Sequence, residues 1–551
     1  MCLPMSSQTR ALRPYYLILG AERLSSVGAE EIGNKAWNLM RMADAGLPVP
    51  AAFVLPTHWC RLRRPGRTND GALREALATG ISKLEAATGL GFGSARKPLL
   101  VSVRSGARVS MPGMMETVLD IGLNGDTVEG LMRLTGNPRL AWDSYRRLIQ
   151  GFAEVVQALP TEPFDALVAA ALVEEGAETE GMLDHRALRR LAGMMLVQFA
   201  ELAGAPFPQD PVEQLARAAD AVFRSWDAKK AAEYRRLNRI DDGIGTAVTV
   251  QVMVFGNAGG TSGAGVGFTR DPATGENALY LDFRFNGQGE DVVAGRAALG
   301  DTQRLRTMLP AIWDRLETLR HELEGLFGDV QDFEFTVQEG RLYILQTRRA
   351  KRTPWAALQI AVDLVAEDLI EPDEALRQLD GIDLDAVVRQ RLSNAEAKPL
   401  AQAVAAGIGI ATGRIALDPE AAKRFAADGE PAILVRRETT TADIAGMANA
   451  IGILTALGGR TSHAAVVARQ LGKVCLVGCG ALAIDLASRT CRIGACDLAE
   501  GDWLSLDGNT GAIYGGRLQV VVEVPDQALA IIRRWQQVDA QGPAHASEKV
   551  S

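Results

Sequence analysis

At 551 residues the chain exceeds what one ordinary hydrophobic core organises and calls for roughly two to four domains. Its 47% hydrophobic and 23% charged content is that of a globular protein, and a net charge of -8 with a pI near 5.5 argues against general nucleic-acid binding. No apolar run approaches the roughly 18 residues of a membrane span, and the N-terminal apolar stretch is too short for a secretory signal, so a cytoplasmic protein is expected.

In chain order, KAWNLMRMADAG predicts an amphipathic helix stopped by Gly46, and LPVPAAFVL an extended segment after it. EIGNKAWNL sets Lys35 beside a glycine turn. PLLVSVRSGARVSMPGMMET sets Arg104 near the end of a strand that runs into a loop with Gly106 and Gly113. Glycine-rich backbone can approach phosphates closely, and Lys and Arg neutralise their charge. Each segment alone also describes a surface cation beside a turn. The chain has no Walker A motif, which removes a P-loop as the source of any nucleotide chemistry. Residues 125–240 read as charged helices, for example EQLARAADAVFRSWDAKKAAEYRRL. From 246 the β pattern returns in TAVTVQVMVF, followed by the glycine-rich loop NAGGTSGAGVG.

The segment VQDFEFTVQEGRLYILQTRR predicts a hairpin. Alternation puts Asp332, Glu334 and Thr336 on one face and Phe333, Phe335 and Val337 on the other. Pairing Phe335 with Leu345 and Val337 with Tyr343 requires a three-residue turn, Glu339-Gly340-Arg341. Asp332, Glu334, Gln346 and Arg348 then share one surface, with oxygen ligands suited to Mg²⁺ beside a phosphate-binding cation. A hairpin with a merely solvated polar face fits the same pattern.

Residues 355–395 read as an acidic helical connector, and 400–516 as a compact mixed β/α unit of short strands, glycine turns and one clear helix. Its cysteines, Cys475, Cys479, Cys491 and Cys496, have poor spacing for zinc and are read as buried thiols. The helix follows GGRTSHAAVVARQLG: Thr461 or Ser462 can cap it, His463 opens it, and Gly472 stops it. An imidazole in a first helical turn lies where free N–H groups and the helix dipole favour an anion such as a phosphoryl group. The dipole also keeps a ring nitrogen unprotonated for attack on phosphorus. A capped helix that merely carries a His gives the same pattern.

GGRTSHAAVVARQLGKVCLVGC resembles the phosphohistidine loop of pyruvate phosphate dikinase, in the wider family of phosphoenolpyruvate-utilising enzymes. RRETTTADIAGMANAIGILTA and GIGIATGRI resemble the same domain. The Lys35, Arg104 and hairpin segments resemble that family's ATP-grasp domain in order, as do AWDSYRRLIQGFAEVV, VFGNAGGTSGAGVGFTRDPATGE and NGQGEDVVAG. The resemblance runs from about residue 20 to 525. Arg460 and Gln470 depart from the family's Met and Gly, and Asn34, Ala36 and Trp37 stand where its residues are mostly glycine.

The resemblance implies an α/β (α+β) multidomain fold. An ATP-grasp nucleotide-binding domain over 1–350, with a helical insertion at about 125–240, is followed by a linker at 351–398, a swivelling phosphohistidine domain at 399–520 and a tail at 521–551. It implies that Lys35, Arg104 and Arg348 hold phosphates, that Glu290 contacts the nucleoside, and that Asp332, Glu334 and Gln346 surround the metal-nucleotide. Gly113 lies in a loop of dikinase form, which points to inorganic phosphate as co-substrate beside ATP and Mg²⁺. His463 stands at the family's phosphorylated histidine, with Arg104 and Arg348 assisting, and Thr461 at a threonine that regulatory kinases modify in some plant members. The family's acceptor half is a barrel of about 250 residues, and 31 residues follow position 520, so that half is expected on a separate phosphoenolpyruvate/pyruvate-binding subunit.

The sequence thus predicts an ATP-dependent phosphotransferase that phosphorylates itself on His463, the domain at 399–520 swinging between stations on the connector. Its partners are ATP, the barrel subunit or another phosphoryl acceptor (a small molecule or carrier protein), and a second copy in a homodimer, with neither nucleic acid nor membrane. A non-catalytic, nucleotide-binding regulator is the remaining reading.

Overall fold

The structure, a computed structural model, describes residues 14–19, 27–62, 70–109, 111, 116–289, 301–393, 398–458 and 462–541. It is a mixed α/β, multidomain architecture that divides into two compact units, Met1–Gly263 with Phe333–Arg348, and Ala264–Asp332 with Arg349–Ser551.

The first unit is built on an antiparallel five-stranded sheet. In chain order its elements are β1 (Tyr16–Ile18), α1 (Ala29–Asp44), β2 (Ala52–Leu55), α2 (Asp70–Thr88), β3 (Val101–Gly106), β4 (Thr117–Ile121), α3 (Pro138–Val155), α4 (His185–Ala203), α5 (Pro211–Ser225) and β5 (Ala247–Val252). The strand order is β1-β2-β5-β3-β4. β3 and β5 pair Val101 with Val252, Ser102 with Gln251, Val103 with Val250 and Arg104 with Thr249. Because residues directly opposite in a ladder point to the same face, the valines share one face, and Ser102, Arg104, Thr249 and Gln251 the other.

On the valine face lies the core, where Phe53, Val103 and Val250 pack with Phe152 of α3, Leu191 of α4 and Val222 of α5. The insertion helices start where their caps dictate. The side chain of Asn137 accepts the Leu140 N–H (3.0 Å) ahead of Pro138, and that of Asp210 accepts the Val212 N–H (3.0 Å) ahead of Pro211. The unit closes with a hairpin, β6 (Gln331–Gln338) and β7 (Arg341–Arg349). Its turn is two residues, Glu339 (φ 49°) and Gly340 (φ 73°), both left-handed, the form that matches strand twist. The three-residue turn expected from the sequence is therefore wrong by one residue. Leu342 and Ile344 are the buried apolar side chains of β7, while Tyr343 and Leu345 are only half-buried.

In the second unit the strands Gly263–Phe268 and Tyr280–Phe285 lie side by side, with the helix Pro310–Phe327 in the same part of the chain. Arg270 is wholly buried here and donates to Glu324 (2.9 and 3.0 Å) and Glu367 (2.8 and 3.1 Å). Burial works against its charge, and the two carboxylates overcome that and raise its pKa. Glu367 caps α6 (Pro354–Ala366), which packs with α7 (Pro372–Gln378).

There follow β8 (Arg389–Leu392), β9 (Ile410–Ala416), β10 (Ala432–Arg436), β11 (Gly452–Thr455), α8 (His463–Gln470), β12 (Val474–Val477), β13 (Trp503–Asp507), β14 (Val520–Glu523) and α9 (Asp526–Gln541). β13, β9, β10, β11 and β12 are consecutive in an eight-stranded sheet, with β9-β10-β11-β12 parallel. β8 and β14 form a separate antiparallel ribbon, Arg389 opposite Glu523. Cys475, Cys479 and Cys491 are buried and Cys496 half-buried. Burial pushes the Cys475 thiol up to about 12 and Cys491 to about 11. Among the described residues no helix is long and apolar enough to cross a membrane.

Candidate functional site

α1 carries a break at Gly33 (φ 75°, ψ 157°), and the regular helix begins after it. A Cβ on Gly33 would stand 2.2 Å from the Gly106 carbonyl oxygen, so only glycine permits this approach. The Asn34 N–H donates to the Ala107 carbonyl (3.1 Å), and the Asn34 side-chain amide donates to the Arg108 carbonyl. The first helical turn is thereby pinned to the end of β3, and Lys35 is brought over the sheet face that carries Arg104.

The Arg104 guanidinium is gripped from several elements. It pairs with Glu334 Oε2 of β6 at 3.1 Å and donates to the Leu345 carbonyl at 3.3 Å and to Gln346 Oε1 at 3.5 Å, both of β7. The Nη1 that donates to the Leu345 carbonyl also donates to Gln251 Oε1 of β5 at 3.4 Å. Gln346 Nε2 donates to Glu334 Oε1 at 3.1 Å, so both carboxylate oxygens are engaged. Lys35 feels the whole group. Burial lowers its amine most, Arg104 and the exposed Arg348 lower it further, and Glu334 partly restores it, leaving it at about 8.

The structure thus brings together Lys35, Arg104, Glu334 and Gln346, with Arg348 close enough to act on Lys35. Asp332 is buried two residues before Glu334 on the same strand. The donor set, carboxylate and amide oxygens beside cations, fits a hard cation that keeps water and phosphate oxygens as its other ligands. Among the described residues no group of three or more His, Cys, Asp or Glu side chains gathers to hold a metal alone. Gly113, Glu290 and Thr461 lie outside the described residues.

Two contributors escaped the sequence reading. Gln251 is 2% exposed within a valine-rich strand, where its only signal is a polar residue in an apolar run. Asp143 of α3 is buried and accepts from Arg146 Nε (3.0 Å), Arg147 Nε (3.2 Å) and Asn257 Nδ2 (3.1 Å). Burial alone would raise its pKa, but the guanidiniums of Arg147, Arg146 and Arg139, with Asn257, hold it at about 2. Asp143 thereby fastens the insertion to the glycine-rich loop. That loop is also held by the hairpin tip, where the Glu339 N–H donates to Ser262 Oγ (2.9 Å) and the Gly340 N–H to the Thr261 carbonyl (3.0 Å).

In the second unit α8 opens at His463, and the Ser462 side chain accepts the Ala465 N–H at 3.4 Å. Ala464, Ala465 and Ala468 of the helix are buried against Cys475 and Val477 of β12. Small side chains on this face let helix and sheet lie close. The loop after β11 is tied to the one after β10, with the Ala456 N–H on the Arg436 carbonyl (3.1 Å) and the Leu457 N–H on the Arg437 carbonyl (2.9 Å). Asp443 organises that second loop, accepting from the Thr440 N–H (2.8 Å) and pairing with Arg436 (3.1 Å).

Residues 68–303 match the family described as pyruvate phosphate dikinase, AMP/ATP-binding domain, and residues 428–511 the family described as PEP-utilising enzyme, mobile domain. Arg104 and Gln251 fall within the first match and His463 within the second. The chain is 44% identical over 493 residues to "Pyruvate, phosphate dikinase" of Clostridium symbiosum, covering 89% of this chain and 56% of that protein. It is 41% identical over 514 residues to the chloroplastic "Pyruvate, phosphate dikinase 1" of Zea mays (93% and 54%). It is likewise 41% identical over 511 residues to "Pyruvate, phosphate dikinase" of Giardia intestinalis (92% and 58%). The chain spans a little over half the length of these relatives.

Proposed function

The chain belongs to the pyruvate phosphate dikinase family through its AMP/ATP-binding and mobile domains, and we propose that it performs the donor half of that family's phosphoryl transfer. In this reading ATP transfers its β,γ-pyrophosphoryl group to His463 with AMP as leaving group, inorganic phosphate takes the outer phosphoryl group and leaves as pyrophosphate, and the remaining phosphoryl group then passes from His463 to an acceptor. The single observation that carries it is the cluster of Lys35, Arg104, Glu334 and Gln346 in one unit, in a chain that also sets His463 at a capped helix start.

Phosphoryl transfer asks the protein chiefly for positioning and charge neutralisation. Lys35, Arg104 and Arg348 supply positive charge for the phosphates. Glu334 and Gln346, with Asp332, would hold Mg²⁺, which supplies further charge neutralisation when bound. Gly113 and Glu290 complete the nucleotide contacts in this proposal, and Thr461 is a candidate for regulatory modification. His463, unprotonated at the attacking nitrogen, is the nucleophile. The acceptor we propose is pyruvate, bound on a separate barrel subunit.

The test is direct. Incubated with β-labelled ATP, Mg²⁺ and phosphate, the purified protein should form an acid-labile phosphohistidine that a His463→Ala variant does not form. Label retained by that variant removes His463 from the reading. Pyruvate-dependent AMP formation should require the added subunit, and turnover by this chain alone would overturn the separate-subunit proposal.

A further inference from the structure

We infer that Gln251 is a positioning residue for Arg104, holding its guanidinium by a neutral hydrogen bond that does not depend on Glu334. The role presupposes the nucleotide site proposed above. Besides the Leu345 carbonyl, which accepts from the same Nη1 as Gln251, Arg104 has two kinds of side-chain partner. Glu334 and Gln346 belong to the hairpin and carry the oxygen atoms that suit a metal-nucleotide, so they are the partners such a ligand competes for. Gln251 belongs to the central strand of the sheet. Its Oε1 accepts from Arg104 Nη1 at 3.4 Å, and its own Nε2 donates to the Pro50 carbonyl at 3.4 Å.

That second bond fixes the amide orientation, so the oxygen and not the NH₂ faces the guanidinium. At 2% exposure the side chain has no water to replace either partner. Its neutrality also matters. A carboxylate at this place would bind Arg104 more tightly but would cancel charge that the phosphates need. A neutral acceptor holds the group and leaves the charge available. Thr249, directly opposite Arg104 in the ladder, has a buried hydroxyl with no hydrogen-bond partner among the described residues and does not share the task.

Gln251→Glu and Gln251→Met should separate positioning from packing, since both keep the side-chain length. The first readout is the pH midpoint of Lys35 acetylation by acetic anhydride, followed by mass spectrometry of the full chain without nucleotide. In Gln251→Glu the added carboxylate offsets Arg104, and the Lys35 midpoint should rise by about half a unit or more. The second readout is single-turnover phosphohistidine formation. Gln251→Met should raise the half-saturating ATP concentration about tenfold, with a smaller loss in maximal rate and an unchanged melting profile. An unmoved Lys35 midpoint in Gln251→Glu, together with an unchanged ATP dependence in Gln251→Met, overturns the inference. The acetylation arm needs no turnover, so a parent protein that forms no phosphohistidine would sink the proposed function while the test of Gln251 stands.

Discussion

The two halves of the proposed chemistry are assembled in opposite ways. The proposed nucleotide cluster draws Lys35, Arg104, Gln251, Glu334 and Gln346 from four places in the sequence spread over some three hundred positions; Arg104, Gln251, Glu334 and Gln346 are linked by hydrogen bonds, and Lys35 feels the charges of Arg104 and Glu334. The His463 site is local. Its strand, cap, helix and following strand fall within Gly452–Val477, and its packing uses small side chains. A site made of long-range ion pairs fails as a unit when one member goes, whereas a site made of one capped helix weakens by increments.

The comparison breaks most visibly at Arg104. Arg104→Ala removes a cation proposed to bind phosphate and takes its ion-pair partner from Glu334. Phosphohistidine formation should fall by about a hundredfold or more, while circular dichroism shows a folded chain and the second unit keeps its native hydrogen-exchange pattern. A variant with parental labelling kinetics would take Arg104 out of the site.

Next in size is Gly33→Ala. The new Cβ would lie 2.2 Å from the Gly106 carbonyl oxygen and force a left-handed residue to carry a side chain. We expect a loss of about 2 to 3 kcal/mol, read by thermal denaturation, and weaker nucleotide binding because Lys35 shifts with the turn.

The pH dependence of ATP binding is a finer probe. Lys35 sits at about 8, below the usual 10.5, so its charge is present at pH 7 and lost as pH rises through 8. Affinity should drop severalfold between pH 7 and 9.5 by calorimetry, and Lys35→Arg should flatten the profile. The stability term has the opposite sign. Between about 8 and 10.5 the unfolded chain binds the extra proton, so this group makes the fold more stable as pH rises there.

The smallest effect belongs to the local site. Ser462→Ala removes the side-chain acceptor for the Ala465 N–H and should cost about 1 kcal/mol, seen as faster amide exchange in the first turn of α8. ATP binding to the first unit should not change.

Legibility in the sequence follows the same division. The helix at His463 could be placed from a dozen residues because cap, histidine and stop are neighbours, and the choice of Ser462 over Thr461 as cap was left to the structure. Lys35 and Arg104 were visible as cations beside glycine turns, since the backbone contact of Gly33 with Gly106 leaves a mark in both segments. The hairpin register slipped because Glu339 adopts a left-handed conformation that its residue type does not advertise. Gln346 nevertheless meets Glu334. Gln251 and Asp143 were illegible for a different reason: their meaning lies in partners more than a hundred residues away.

The β8–β14 ribbon has a mechanical consequence. The path into the eight-stranded sheet leaves at Leu392 and the path out returns at Val520, and these two residues face each other in the ladder. Arg389 and Arg391 both pair with Glu523 across it. Behind the ribbon, Ala528, Leu529 and Ile532 of α9 share a buried cluster with Leu358 and Ala361 of α6. Entry and exit strands are thus clamped to the same footing. The swinging of the sheet proposed for this family member would therefore start from two strand ends that lie side by side. A body carried on two adjacent tethers turns like a door on its hinge line instead of wandering like a ball on a string, so the proposed travel of His463 would follow an arc.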